Sequence, residues 1–173
     1  MIESDFRRIV LAHQDRVYNT CLGFVKHEEE AEDIAQEVFI QVYQSYDTFL
    51  QKSELSTWIY KITVNKCLES IRKSKAKRRA GNETNTELKD YMLISHVHPG
   101  IQLENKERAS ILFGAIAKLP ESQQVAYTLN KIEGLSYDEI GKVTGKSKSS
   151  IESLLHRAKQ SLQKLLKTYY EES

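Results

Sequence analysis

Apolar residues recur along this chain at intervals of three and four, the period of a helix buried on one face. The first such stripe runs Phe6, Ile9, Val10, His13, Val17, Cys21, Leu22 and Val25. The second is cleaner. Ala31, Ile34, Ala35, Val38, Phe39, Val42 and Tyr43 fall on one face, opposite Glu32, Asp33, Gln36, Glu37 and Gln41. A polar stretch from Asp47 to Ser56 interrupts the pattern. A third helix is expected from about Thr57 to Lys75, with Trp58, Ile62, Leu68 and Ile71 inward, ending in a basic cluster. These helices predict a compact N-terminal domain over residues 1–79.

Periodicity is lost across residues 80–104. Gly81-Asn82-Glu83-Thr84-Asn85-Thr86 is polar, and His98-Pro99-Gly100 is a turn signal, so a linker is expected, with a short helix near Leu88–Ile94. A second domain, 105–173, opens with Ile111, Leu112, Ala115, Ile116 and Leu119 in helical register, broken by Pro120. A helix from Glu121 to Ile132 follows and ends before Gly134. Ser136-Tyr137-Asp138-Glu139 reads as a capping box: the serine caps the helix and the glutamate reaches back. That helix is short, ending near Val143. Thr144-Gly145-Lys146 makes a tight turn, and Ser147 caps a last helix carrying Ile151, Leu155, Ala158, Leu162 and Leu165. Two helices joined by a short glycine turn form a helix-turn-helix, whose second helix enters the DNA major groove. The expected fold is all-α: two small helical domains joined by a polar linker.

Two prolines and seven glycines agree with a mostly helical chain. No run of eighteen apolar residues exists, so no membrane span is expected. The start, Met1-Ile2-Glu3-Ser4-Asp5, lacks a basic segment followed by an apolar one, and no secretion signal is expected. Cys21 and Cys67 fall at apolar positions and read as core thiols of a cytoplasmic protein. The net charge of +1 argues against nucleic acid, but the distribution argues for it. Acids crowd into Glu28-Glu29-Glu30, Glu32, Asp33 and Glu37, and bases into Arg72-Lys73, Lys75 and Lys77-Arg78-Arg79. A chain segregated in this way offers one acidic face and separate basic ones.

Three stretches resemble a known family. Ala31-Glu32-Asp33-Ile34-Ala35-Gln36-Glu37-Val38-Phe39 is similar to the polymerase-binding helix of sigma region 2. Leu55-Ser56-Thr57-Trp58-Ile59-Tyr60-Lys61-Ile62, with Asn65 and the basic run to Arg79, resembles the segment that reads and melts the −10 element. Leu119-Pro120-Glu121, Glu133 to Ile140 and Leu155-His156-Arg157-Ala158 resemble region 4. In this order, with no third domain between, they resemble the ECF (extracytoplasmic function) sigma factors. The resemblance implies an alternative sigma factor that binds core RNA polymerase and directs initiation at particular promoters, held in check by an anti-sigma factor. Recognition helices of the family often carry a basic residue where this chain has Glu152, and an arginine where it has Leu154. No −35 consensus is therefore carried over.

Each expected site has a plainer reading beside it. Glu32, Asp33, Gln36, Glu37 and Gln41 make an ordinary solvated helix face; the resemblance makes them the surface that docks on the polymerase's largest subunit, where carboxylates suit arginine partners. Holding a separated strand requires stacking and hydrogen bonds to base edges. Phe49, Trp58 and Tyr60 offer stacking, and Asn65 offers a donor and an acceptor. Lys61, Lys66, Arg72 and Lys73 offer phosphate contacts. Against this, Trp58 begins an apolar stripe and suits a core, and the Arg72–Arg79 run suits a frayed helix end. On the recognition helix, Lys146, Ser147, Lys148, Ser149, Ser150, Glu152, Ser153, His156 and Arg157 are expected to be exposed. Its cations grip phosphates, which position without specifying. Glu152 and Ser153 address base edges, with Glu152 accepting from a cytosine amino group, or Glu152 serves only its own helix.

His96-Val97-His98 has a metal-like spacing but no third ligand beside it, so no metal and no cofactor is expected. No phosphate loop, nucleophile elbow or carboxylate constellation appears, and an enzyme reading has no residues to stand on. The rival is a free-standing helix-turn-helix regulator. It accounts for residues 120–167 but leaves 31–79 unexplained, and no dimer stripe follows Leu166.

Overall fold

The computed structural model describes residues 3–25, 27–49, 54–81 and 103–172. The chain divides into two compact units, Met1–Thr84 and Asn85–Ser173. The histidine pair at 96 and 98, the turn at 98–100 and the short helix expected near 88–94 lie outside the described residues.

The first unit is a three-helix bundle of α1 (Glu3–Val25), α2 (Glu28–Ser45) and α3 (Leu55–Arg79). Each helix forms because its apolar residues keep one face: Ile9, Val17, Cys21 and Leu22 on α1, Ala31, Ile34, Val38 and Val42 on α2, and Ile59, Ile62, Val64, Cys67 and Leu68 on α3 are all buried. Burying a valine, leucine or isoleucine side chain contributes about 1.5–3 kcal/mol, so these stripes hold the bundle. Tyr43 is an exception to the expected stripe. It stays 53% exposed, its ring edge-on to Phe6 at 5.1 Å, because it is turned past the edge of the buried face.

The α1–α3 seam is partly polar. Arg16 Nε donates to the Tyr60 hydroxyl at 2.8 Å while its guanidinium lies 4.6 Å over the Tyr60 ring. Thr20 and Thr63 hydroxyls return to carbonyls one turn earlier, at 2.8 and 2.9 Å. The stack places Tyr60 in the packed seam, where it is 7% exposed and offers no face to a base. Burial, then the charge of Arg16, pushes His13 below its ordinary value. Cys21 and Cys67 are free and buried. The hydrogen bond between them, then burial, holds the Cys67 thiol well above its usual range, so it stays protonated and unreactive. α3 runs to Arg79, a turn beyond the expected end, and stops at Gly81 with φ 76°.

The second unit comprises α4 (Leu103–Ala117), α5 (Glu121–Tyr127), α6 (Tyr137–Thr144) and α7 (Lys148–Glu172). α4 already begins at Leu103, within the segment read as linker. Phe113, Ala115, Ile116 and Leu119 pack on Ala158 and Leu162 of α7. Leu129, Leu135, Ile140, Val143, Ile151 and Leu155 are also buried. The helix expected over 121–132 widens in its last turn into a π turn, Thr128–Ile132, where Glu133 N–H donates to Thr128 O at 3.1 Å. Among the described residues, no helix is long and apolar enough to cross a membrane.

Candidate nucleic-acid interface

The helix-turn-helix is set by local chemistry. Glu139 N–H donates to Ser136 Oγ at 3.2 Å and Ser136 N–H donates to Glu139 Oε2 at 2.8 Å, closing the expected capping box. At its other end α6 stops on Gly145, left-handed at φ 73°, whose N–H donates to Gly141 O at 2.8 Å. Glycine takes that conformation without the clash a Cβ brings. Gly141 has a different reason. A Cβ there would lie 2.8 Å from the Lys146 carbonyl oxygen, so the turn can pass this close only over a bare Cα. Ser147 then caps α7 by accepting from Ser150 N–H at 3.2 Å.

This turn presents α7 with Ile151, Leu155, Ala158 and Leu162 inward. Lys146, Ser147, Lys148, Ser149, Glu152, Ser153, His156 and Arg157 are all exposed. Ser149, Glu152, Ser153 and His156 share one strip by helical spacing. Gln160 continues it, with its Nε2 3.1 Å from His156 Nε2. Gln160 was legible from its place one turn beyond His156. Lys148 sits 3.9 Å from Asp138 on α6.

The first unit carries two separate surfaces. On α2, Glu32, Asp33, Gln36, Glu37 and Gln41 are exposed. Among them stand two large apolar side chains in solvent, Ile40 at 56% and Tyr43 at 53%. Ile40 lies one turn beyond Gln36 and Tyr43 two turns beyond it, so both sit within the acidic face. The sequence signal for Ile40 is an apolar residue off the buried stripe.

The second surface begins where the 3-10 turn Tyr46–Thr48 leads into Phe49. Phe49 and Trp58 rings lie 5.0 Å apart, with Tyr46 6.4 Å from Phe49. Trp58 is half-buried, so it belongs neither wholly to the core nor wholly to solvent. From it, Lys61, Asn65 and Arg72 continue along one exposed strip of α3. Lys66 and Lys73 flank the strip, and both are ion-paired. Lys66 Nζ lies 3.1 Å from Glu37 Oε2 on α2 and 3.9 Å from Glu69 Oε2. Lys73 Nζ lies 2.8 Å from Glu69 Oε1. The Lys73 bond, then the charges of Lys73 and Lys66, holds the Glu69 carboxyl below its ordinary value; the same bond raises Lys73. Tyr60 is not part of this surface, being held in the α1 seam.

A bundle with an acidic face and an aromatic-basic strip, together with a separate helix-turn-helix, is the layout of a sigma-70-type initiation factor. Residues 9–77 match the Sigma-70 region 2 family and residues 110–162 match Sigma-70 region 4. The ECF RNA polymerase sigma factor SigW of Bacillus subtilis is 31% identical over 94% of this chain and 89% of its own length. RNA polymerase sigma-H factor of Pseudomonas aeruginosa is 29% identical over 97% and 89%. Among solved structures, sigma factor RpoE of Bartonella quintana, in complex with the anti-sigma factor NepR, superposes with a TM-score of 0.68. It is 22% identical, and the match covers 94% of this chain and 97% of that one. CnrH, in complex with the cytosolic domain of CnrY, gives a TM-score of 0.66 at 20% identity, over 96% of this chain and 90% of that one. The chain belongs to the ECF sigma factors. It is an alternative sigma factor, directing RNA polymerase to particular promoters.

Proposed function

We propose that the acidic face of α2 docks on core RNA polymerase, that the Phe49–Trp58 pair and the α3 strip take the separated −10 strand, and that α7 reads the −35 element. The observation that carries this reading is the pair of exposed apolar side chains, Ile40 and Tyr43, on the same face of α2 as Glu32, Asp33, Gln36 and Glu37. A helix face that is merely solvated has no use for them, whereas a protein interface has an apolar centre and a polar rim. Asp33 and Glu37 suit arginines of the partner. The adjacent Phe49 and Trp58 rings suit an extruded base, Asn65 its hydrogen-bonding edge, and Lys61, Lys66, Arg72 and Lys73 the phosphates. Lys146 in the turn and Lys148 and Arg157 on α7 suit phosphates, and Ser149, Glu152, Ser153 and His156 on α7 suit base edges.

The protein performs no chemistry of its own and acts in the cytoplasm, where its polymerase is. An anti-sigma protein holds it inactive by covering the α2 face, α7 or both; the solved RpoE and CnrH complexes, with their partners NepR and CnrY, support that reading. On this reading residues 1–79 act as region 2, 80–104 as a connector and 105–173 as region 4; the family matches over residues 9–77 and 110–162 support it.

Titration of a labelled promoter duplex tests the whole. Alone, the protein should bind at micromolar concentration or weaker, since few cations line α7 and affinity for duplex comes largely from neutralised phosphates. Added core enzyme should convert this to a tight promoter complex. Nanomolar, sequence-specific binding by the isolated protein at physiological salt would instead support a free-standing regulator.

A further inference from the structure

Glu69 is the only acid on α3. It lies on the strip proposed to face the separated strand, one turn beyond Asn65 and between Lys66 and Lys73. A carboxylate on a surface that receives phosphates repels them, so its presence there needs a reason. The structure supplies one. Glu69 Oε1 is 2.8 Å from Lys73 Nζ and Glu69 Oε2 is 3.9 Å from Lys66 Nζ, so one carboxylate spans both ammoniums across two turns of the helix. Lys66 has a second partner, Glu37 on α2, at 3.1 Å. That partner belongs to the face proposed to dock on polymerase. When a polymerase arginine engages Glu37, the nearest carboxylate left to Lys66 among its described ion-pair partners is Glu69. The side chains differ in freedom: Lys66 is 23% exposed and Lys73 is 67% exposed. Two flexible ammoniums tied to one carboxylate lose rotamer freedom before the strand arrives, which lowers the cost of ordering them on it.

We propose that Glu69 is a positioning residue for promoter opening, holding Lys66 and Lys73 in place along α3 for the backbone of the separated strand. This rests on the reading of that strip as the strand-binding surface.

The test uses holoenzyme reconstituted with the full chain, on a promoter whose opening is read by permanganate reactivity of unpaired thymines and whose closed complex is read by mobility shift in the cold. Glu69→Ala should leave assembly with core polymerase unchanged. Closed-complex affinity should be unchanged or slightly higher, because a negative charge near DNA is gone. The extent or rate of opening should fall about threefold. Glu69→Gln, which keeps the shape and loses the charge, should behave like Glu69→Ala, and Glu69→Asp should recover part of the opening. In a double-mutant cycle the loss in Glu69→Ala should not add to that in Lys66→Ala together with Lys73→Ala, since the carboxylate acts through those lysines.

Opposite results overturn the proposal in separate ways. If opening and closed binding both rise in Glu69→Ala, the residue is only a repulsive charge. If the Glu69 defect adds fully to the lysine defect, or appears with one promoter base and vanishes when that base is changed, Glu69 contacts DNA itself. If both fall together with lost thermal stability, its role is structural. If the lysine pair can be removed with no change in opening, the strand-binding strip itself has been misplaced, and the Glu69 assignment falls with that reading; a lysine defect without a Glu69 defect overturns the Glu69 assignment alone.

Discussion

The two helical units mark the ends of their helices in different ways. In the second unit, α6 is eight residues long, well short of the roughly 12–15 at which even a good isolated helix becomes marginal. It is fixed at one end by the Ser136–Glu139 box and at the other by left-handed Gly145, and Ser147 restarts the chain as α7. In the first unit, α1, α2 and α3 run 23, 18 and 25 residues. The residues that precede α2 and α3 at the N-cap position, His27 and Glu54, make no side-chain cap. α2 and α3, long helices with continuous buried stripes, are placed by packing, while α6 is told locally where to start and stop. The working surfaces follow the same division. Those of the first unit lie on the bodies of helices, so their side chains can change without disturbing a helix end. That of the second depends on a turn that allows few residues.

The largest effect that separates the units is therefore on function without cost to the fold. Asp33→Arg combined with Glu37→Arg places two cations where polymerase arginines are expected, and like charges across an interface cost several kcal/mol. Binding to core enzyme should fall about 100-fold or more. Circular dichroism should hardly move and the melting temperature should fall only slightly, since both positions are exposed and the Glu37–Lys66 pair that is lost is a surface one, of about 0–1 kcal/mol. Normal holoenzyme assembly by the folded double variant would remove the docking assignment.

In the second unit a change of one methyl should reach the fold directly. Gly141→Ala drives a Cβ to 2.8 Å from a backbone oxygen that cannot swing aside. Overpacking of this kind costs about 1–3 kcal/mol. Hydrogen exchange should show lost protection in α6 and the start of α7, with α1 to α3 unaffected. Unchanged protection across the turn would mean the backbone relaxes cheaply, and the contrast between the units would weaken.

Much of this organisation was legible in the sequence, and the reasons differ by region. The capping box, the glycine turn and the Ser147 cap are contiguous signals, so α6 and α7 were placed from residues within a few positions of one another. The α2 stripe was legible because its period is nearly unbroken. What escaped depended on contacts between distant positions. Nothing near Lys66 announces that it reaches Glu37, which lies 29 residues away. Tyr60 suits a stacking ring by its neighbours in sequence, yet Arg16, 44 residues away, holds it in the seam. Tyr43 is ambiguous in the sequence because an aromatic ring at the margin of a stripe fits either side. Gly141 passed unnoticed because its constraint is a close approach by the turn beyond it, not a backbone angle.

A smaller effect tests the capping argument in the second unit. Ser136→Ala removes the acceptor for Glu139 N–H and leaves that donor to water, a loss of about 1 kcal/mol for a cap of this type. Chemical denaturation of the full chain, followed by a probe in α6, should register it. A loss well under half that size would mean α6 is held by Ile140 and Val143 packing, as the helices of the first unit are.

The smallest effect is a gain in the first unit. His27 already has the extended backbone of an N-cap residue, at φ −115° and ψ 127°, and its carbonyl accepts Ala31 N–H at 2.9 Å. What it lacks is a side-chain oxygen to accept from the first-turn donors. His27→Ser supplies one at unchanged backbone geometry, three residues before Glu30, the spacing of a capping box. Two features reduce the gain. Glu28, Glu29 and Glu30 already favour the positive end of the helix dipole, and Glu30 already accepts a hydrogen bond from Ser70 on α3. The variant should therefore be more stable by about 0.5 kcal/mol, at the low end for such caps. Denaturant midpoints for the two chains, compared at constant slope, measure it. If His27→Ser gains as much as Ser136→Ala loses, the two units depend on caps equally, and the contrast in how their helices are bounded does not hold. If it gains a fraction of that amount, α2 is a helix whose start is set by what it packs against.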